Sequence, residues 1–101
     1  MSDALRKIIE ETQANFRAEP ANALATFESK SELQEGFHSE VGLRDHRLTV
    51  DEPAELGGTD KGPNPVELVL AALGTCQEIT YLAYAAAMGI PLEGVSVTVE
   101  G

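Results

Sequence analysis

The chain has 101 residues, of which 43% are hydrophobic and 24% charged, the composition of a folded globular protein rather than a disordered one. Seven Lys and Arg stand against 17 Asp and Glu, a formal charge of −10. That surplus of acid opposes phosphate backbones and anionic lipid surfaces, so neither nucleic acid nor a membrane is expected as a partner. At this length one domain, 1–101, is the expected ceiling.

The amino-terminal stretch MSDALRKIIEE carries acids where a secretory leader has an apolar run. Ser2 is a candidate N-cap, and Leu5, Ile8, Ile9 and Phe16 recur at near-helical spacing to about Ala18. Glu19-Pro20 stops that helix, because a residue before proline is pushed out of the α region; the helix is expected within 1–20. A three-strand antiparallel sheet is expected over 22–51. Its first strand is Leu24–Leu33, and Gln34-Glu35-Gly36 makes the turn into a second strand, Phe37–Leu43. After a tight turn at Arg44-Asp45 comes a third, His46–Asp51, with Leu48 and Val50 on one face and Arg47 and Thr49 on the other.

Residues 52–64, EPAELGGTDKGPN, hold two prolines, three glycines and four charges and show no periodicity. They form an expected loop long enough to suggest a functional role. Asn64, Pro65 and Glu67 then supply an N-cap, an N1 proline and the N-x-x-E capping-box spacing. A helix of 24 residues follows, Pro65–Met88, closed by Gly89 and Pro91 and so assigned to 65–89. Its most apolar run, Leu68–Cys76, has nine residues between Glu67 and Gln77-Glu78, whereas a membrane span needs about 20. Val95, Val97 and Val99 alternate with Ser96, Thr98 and Glu100 as a last expected strand, 94–100. So apolar a helix needs more cover than three or four short strands and one amphipathic helix provide. The chain is therefore expected to be a fragment, or to share its core with a second copy.

Cys76 is the only cysteine, so no intrachain disulfide and no multi-thiolate zinc site is possible. A free thiol and the absence of a leader place the chain in the cytoplasm by expectation. A mid-helix cysteine is by default a small core hydrophobe.

The segment DEPAELGGTDKGPNPVELVLAALGTC resembles the signature of the OsmC/organic-hydroperoxide-resistance superfamily. The elements that carry the likeness are Leu56-Gly57-Gly58, Gly62-Pro63-Asn64-Pro65, Glu67-Leu68, Ala71-Ala72, Gly74 and Cys76. The likeness is dense over about 26 residues, extends loosely from about residue 24, and covers the amino-terminal part of such a domain. It implies an α+β fold, with an antiparallel sheet packed on a long central helix, in an intertwined homodimer. It also implies a thiol-dependent peroxidase in which Cys76 is the peroxidatic cysteine and attacks a small organic hydroperoxide; a resolving cysteine on a later helix then condenses with the sulfenic acid to a disulfide, which a dithiol reduces, with no cofactor and no metal. Three positions depart from the pattern. No second cysteine is present, Val66 stands where the peroxidase branch has a catalytic glutamate, and the turn at Leu33-Gln34-Glu35-Gly36 has no arginine. A second reading is therefore a non-catalytic homodimer that binds a small apolar or thiol-reactive ligand at its interface.

Glu67 lies nine residues before Cys76. In a straight helix that puts it on the opposite face, roughly 13 Å away along the axis, which suits a cap rather than a base. Activation of the thiol calls for positive charge, and the candidates are Lys30, His38, Arg44, His46, Arg47 and Lys61. Arg44 and Arg47 flank a strand turn and are expected to be solvated or paired with Asp45 and Asp51, and nothing in the sequence pairs the two histidines. The i±3 and i±4 neighbours of Cys76, namely Ala72, Leu73, Ile79 and Thr80, are almost wholly apolar and would suit an alkyl substrate or a core. Tyr81 and Tyr84 are expected to pack and to lead their hydroxyls to an interface.

Overall fold

A computed structural model describes residues 2–101, with only the backbone of Ser2, so the expected Ser2 cap falls outside it. The chain is α+β. In order it forms helix α1 (Ser2–Ala18), strands β1 (Lys30–Leu33), β2 (Ser39–Leu43) and β3 (His46–Val50), and helix α2 (Pro65–Ala87). Single 3-10 turns at Pro20–Ala23 and Ala54–Leu56 connect them. The residues divide into two compact units, Met1–Thr26 with Ala72–Glu100, and Phe27–Ala71 with Gly101.

The unit of Phe27–Ala71 is built on the sheet, whose strand order is β1-β2-β3 with both pairings antiparallel. The first strand is shorter than its sequence suggests. Lys30 pairs with Gly42 and Leu33 with Ser39, β2 ends before the turn at Arg44-Asp45, and among the described residues no ladder partner is found for Leu24–Phe27. Leu24 and Phe27 are accordingly 84% exposed. The β1–β2 turn also absorbs Phe37 and His38. Gly36 takes φ +61°, Gln34 N–H donates to His38 O (2.7 Å), and β2 begins only at Ser39. The β2–β3 pairing sets Val41 opposite Leu48 and Ser39 opposite Val50 on one face, with Glu40 opposite Thr49 and Gly42 opposite Arg47 on the other. This is the expected alternation, and it delivers Val50 as a buried side chain at the end of β3.

The loop 52–64 folds back on the end of β3. Asp51 N–H donates to Pro63 O (3.1 Å) and Asp60 N–H to Glu52 O (3.0 Å), so the loop is closed from both sides. Two glycines permit this approach. A Cβ on Gly58 would collide with Glu52 O, and one on Gly62 with Thr49 O. At the start of α2 the capping box is reciprocal, as its spacing predicts: Glu67 N–H donates to Asn64 Oδ1 (2.8 Å) and Asn64 N–H to Glu67 Oε1 (3.0 Å).

The other unit holds α1, the remainder of α2 and residues 90–100. On α1, Leu5 and Ile9 are half-buried, and Arg6 pairs with Glu10 across one turn (3.1 Å) on the solvated side. Helix α2 closes with a Schellman motif. Gly89 takes φ +69° and donates to Ala86 O (3.3 Å), while Ile90 N–H donates to Ala85 O (2.8 Å). Residues 90–101 form neither helix nor strand. The expected strand 94–100 keeps its alternation, since Val97 and Val99 are half-buried while Ser96, Thr98 and Glu100 are exposed, but no ladder partner meets it among the described residues. Period-2 patterning makes an extended segment; only a neighbour makes it a strand. Val99 and Val97 instead lie over Gly74, with Val99 Cγ2 at 3.4 Å from where a Cβ would stand on that glycine.

Among the described residues the buried hydrophobics are only Val50 in the sheet unit and Ala85 and Ala86 in the other; Asp51 is also buried in the first and Gly74 in the second. Pro65–Met88, 24 residues with an 18-residue stretch of mean hydropathy 1.2, is long and apolar enough to cross a membrane by length and composition. Its apolar surface is largely uncovered: Val69, Ile79, Tyr84 and Met88 are each about two-thirds exposed.

Candidate functional site

Cys76 sits in the middle of α2, free and exposed. Of its neighbours on the helix surface, Leu73 and Ile79 are exposed, and the Thr80 hydroxyl is committed to the Cys76 carbonyl (2.8 Å) rather than to the thiol. Such back-bonding to the i−4 carbonyl is a common fate of a mid-helix threonine. Ile79, one turn from Cys76, lines a cleft of about 340 Å³ with Glu78, Leu82, Leu92 and Val95, formed where residues 92–95 run beside α2. The thiol is therefore exposed, and the cleft begins one helical turn further on, at Ile79, without Cys76 in its lining. Tyr81 and Tyr84 are exposed, so the expected packing is not supplied by the described residues.

The six candidate cations all belong to the unit of Phe27–Ala71, and Cys76 belongs to the other. Lys30, Arg44 and Arg47 border a polar groove of about 710 Å³ over Gly42, the β2 residue with no side chain between them. Lys30 makes a long, exposed contact with Glu28 (3.7 Å), and Arg44 Nη2 lies 3.4 Å from His46 Nε2. His38, unpaired by sequence reasoning, has a partner: its Nε2 is 2.7 Å from Glu40 Oε1. The Thr49 hydroxyl donates to the same carboxylate (2.9 Å). The hydrogen bonds from His38 and then Thr49 hold the Glu40 carboxyl below its ordinary pKa. Glu67 is engaged in the helix cap, the role its spacing implies. Among the described residues no group of three or more His, Cys, Asp and Glu is arranged to hold a metal ion.

Sequence reasoning missed Asp51, expected as an ion-pair partner for a nearby arginine. Asp51 is instead 1% exposed and accepts three hydrogen bonds: from Thr59 Oγ1 (2.8 Å), from the Glu52 N–H (2.7 Å) and from the Lys61 N–H (3.2 Å). The Thr59 bond is the main cause of a carboxyl pKa brought down to about 2, against the opposing cost of burial. The signal was present as an Asp at a strand end, followed by a Gly-Gly-Thr-Asp loop within reach of its side chain. Beside it, Glu52 Oε1 is shut off from solvent and has no hydrogen-bond partner among the described residues.

Fold and site together define a small α+β protein whose single thiol is exposed on a long apolar helix that follows, in sequence, a glycine-rich, aspartate-anchored loop. Residues 58–101 match the family model described as OsmC-like protein, which makes that part of the chain OsmC-like and is consistent with a partial member of the OsmC superfamily. Among curated proteins none matches the chain.

Proposed function

We propose that the chain is a thiol-dependent peroxidase of the OsmC type, acting in the cytoplasm on small organic hydroperoxides with Cys76 as the peroxidatic cysteine. The observation that carries this reading is the exposure of the lone thiol on α2, inside the OsmC-like segment and one helical turn from an apolar cleft that suits an alkyl group. In the reaction, the Cys76 thiolate attacks the peroxide, the O–O bond breaks, and the alkoxide takes a proton and leaves as an alcohol. The sulfur, oxidised to a sulfenic acid, returns to the thiol at the expense of an external dithiol, with release of water and a disulfide. No resolving cysteine within the chain is required.

The working unit is a homodimer. Two faces support this: the apolar surface of α2, and the apolar side of the sheet unit with Leu33, Phe37 and Leu56 exposed. A second copy is the cover that removes such surfaces from water. Val66 in place of an acid, and a β1–β2 turn without arginine, favour the second reading, a non-catalytic dimer that binds an apolar or thiol-reactive ligand.

Incubation with cumene hydroperoxide and a sulfenic-acid trap, followed by mass spectrometry, separates the two. Fast, stoichiometric labelling of the wild type but not of Cys76→Ser is the expected result. A thiol that stays unlabelled until the protein is denatured leaves the binding reading alone standing.

A further inference from the structure

One face of the sheet gathers positive charge in a chain that has little of it. Of the seven Lys and Arg, three stand around Gly42: Lys30 opposite it on β1, Arg47 opposite it on β3, and Arg44 two residues further on, in the turn. All three line the groove of about 710 Å³. Their charge is left unneutralised although the chain carries 17 acids. Lys30 has only its long, exposed contact with Glu28 (3.7 Å), and neither Arg44 nor Arg47 forms an ion pair among the described residues. Glu40, also in the groove lining, is already held by His38 (2.7 Å) and Thr49 (2.9 Å).

The backbone beneath the three cations is bare. A glycine inside a strand weakens it and commonly marks a place where a ligand approaches the backbone closely. A Cβ on Gly42 would meet nothing nearer than Lys30 O at 3.8 Å, so no neighbouring side chain fills that space. Arg44 adds a backbone cost: it takes φ +56°, a conformation that suits glycine or asparagine better than arginine.

We infer that this groove binds a phosphate monoester of a small hydroxylated molecule, with the phosphate over Gly42 between Lys30, Arg44 and Arg47. Neighbouring strands lie about 4.8 Å apart, so β1 and β3 flank the central strand at about 10 Å, a gap that a Lys and an Arg side chain close from both sides. Two guanidinium forks and an ammonium match the three terminal oxygens of a phosphate, whereas a carboxylate offers two. Ser31, Glu32 and Gln34 continue the lining and present donors and acceptors to hydroxyl groups; no apolar side chain lines the groove to hold a lipid tail. Glu32, Glu40 and Asp45 oppose a polyanion and suit a single phosphate. The remaining acids of the chain act weakly there, because salt screens exposed charges beyond about 8 Å at physiological ionic strength. Lys30, Gly42 and Arg47 lie on the sheet face away from Val41 and Leu48, so a dimer formed through the apolar side leaves the groove open. None of these residues belongs to the OsmC-like segment, and Cys76 is in the other unit, so the site is independent of the thiol chemistry.

Titration of the whole chain with glucose 6-phosphate tests the inference, with glucose, glucuronate and inorganic phosphate as comparisons. Calorimetry and backbone NMR shifts at constant, physiological ionic strength read the binding. The ester is expected to bind at least tenfold more tightly than glucose or glucuronate, with shifts centred on Gly42, Arg44 and Arg47. Arg44→Gly relieves the backbone, so it should weaken binding at least fivefold without lowering Tm. Gly42→Ala, which the backbone has room for, should also weaken binding while the sheet stays folded. Equal binding of ester and glucuronate, or full affinity in Arg44→Gly, overturns the inference. So does inorganic phosphate binding as tightly as the ester, because the groove then recognises an ion and not a hydroxylated body.

Discussion

Asp51 shows how much one side chain contributes to this fold. Its three acceptor bonds tie Glu52, Thr59 and Lys61 to the end of β3, and so fix a loop of 13 residues that would otherwise carry considerable conformational freedom. Because its pKa is about 2 when folded and near ~3.9 in an unfolded chain, the carboxylate stabilises the fold fully above pH ~4. That contribution fades as pH falls through about 2. Replacing it by asparagine sets an NH2 donor against one of the donors it now accepts. Asp51→Asn should therefore lower Tm at pH 6, and the Lys61 amide should exchange at least tenfold faster. The Tm gap to wild type should close as pH is lowered towards 2. Unchanged Lys61 protection would show that the loop holds by its glycines and backbone bonds alone.

At the scale of an element, α2 reads from sequence almost to the residue. The capping box, the N1 proline and the glycine at the C′ position are local chemistry, and the helix runs Pro65–Ala87 between them. Residues 94–100 carry just as regular a pattern, yet strand formation depends on a neighbour that local sequence does not specify. Gly74 is where these two segments meet, and it allows a signed prediction. A Cβ there would stand 3.4 Å from Val99 and 3.8 Å from Val97, ordinary contact distances, while alanine gains ~1 kcal/mol over glycine within a helix. Gly74→Ala should thus raise Tm. Gly74→Leu should lower it and expose residues 90–101 to limited proteolysis, because its extra atoms need the space the valines occupy. If both variants melt alike, the tail does not rest on the helix in solution.

At the scale of the molecule, the three buried hydrophobic residues among the described ones are far too few to offset the ordering of about 100 residues. The missing core must come from surfaces now exposed. A bilayer could in principle cover α2, but Glu78 near its middle would cost ~2.5–3.5 kcal/mol there, which favours protein cover. A dimer in detergent-free buffer is the expected result of sedimentation velocity. Ile79 makes the test sharp. At an exposed site on a monomer, Ile79→Glu should shift stability by no more than ~0.5 kcal/mol. In a dimer core it buries an unpaired charge, costs several kcal/mol and releases monomers. A monomeric wild type, or an Ile79→Glu variant with unaltered melting and assembly, contradicts the homodimer.

What the sequence determined by itself is whatever local forces decide. The caps and length of α2, the tight turn after β2 with the facing of Leu48 and Val50, and the one thiol and its apolar helix neighbours all follow from steric limits and hydrogen bonds within a few residues. The tertiary structure alone decided where β1 begins, since its pairing with β2 starts only at Lys30 opposite Gly42. It also gave His38 and Glu40 to one another, drew Asp51 away from the arginines into the loop, and left Glu52 short of a donor. These are choices among polar partners of similar strength, and they turn on which groups the chain brings within 3 Å, a matter of distance in space that spacing in sequence does not encode.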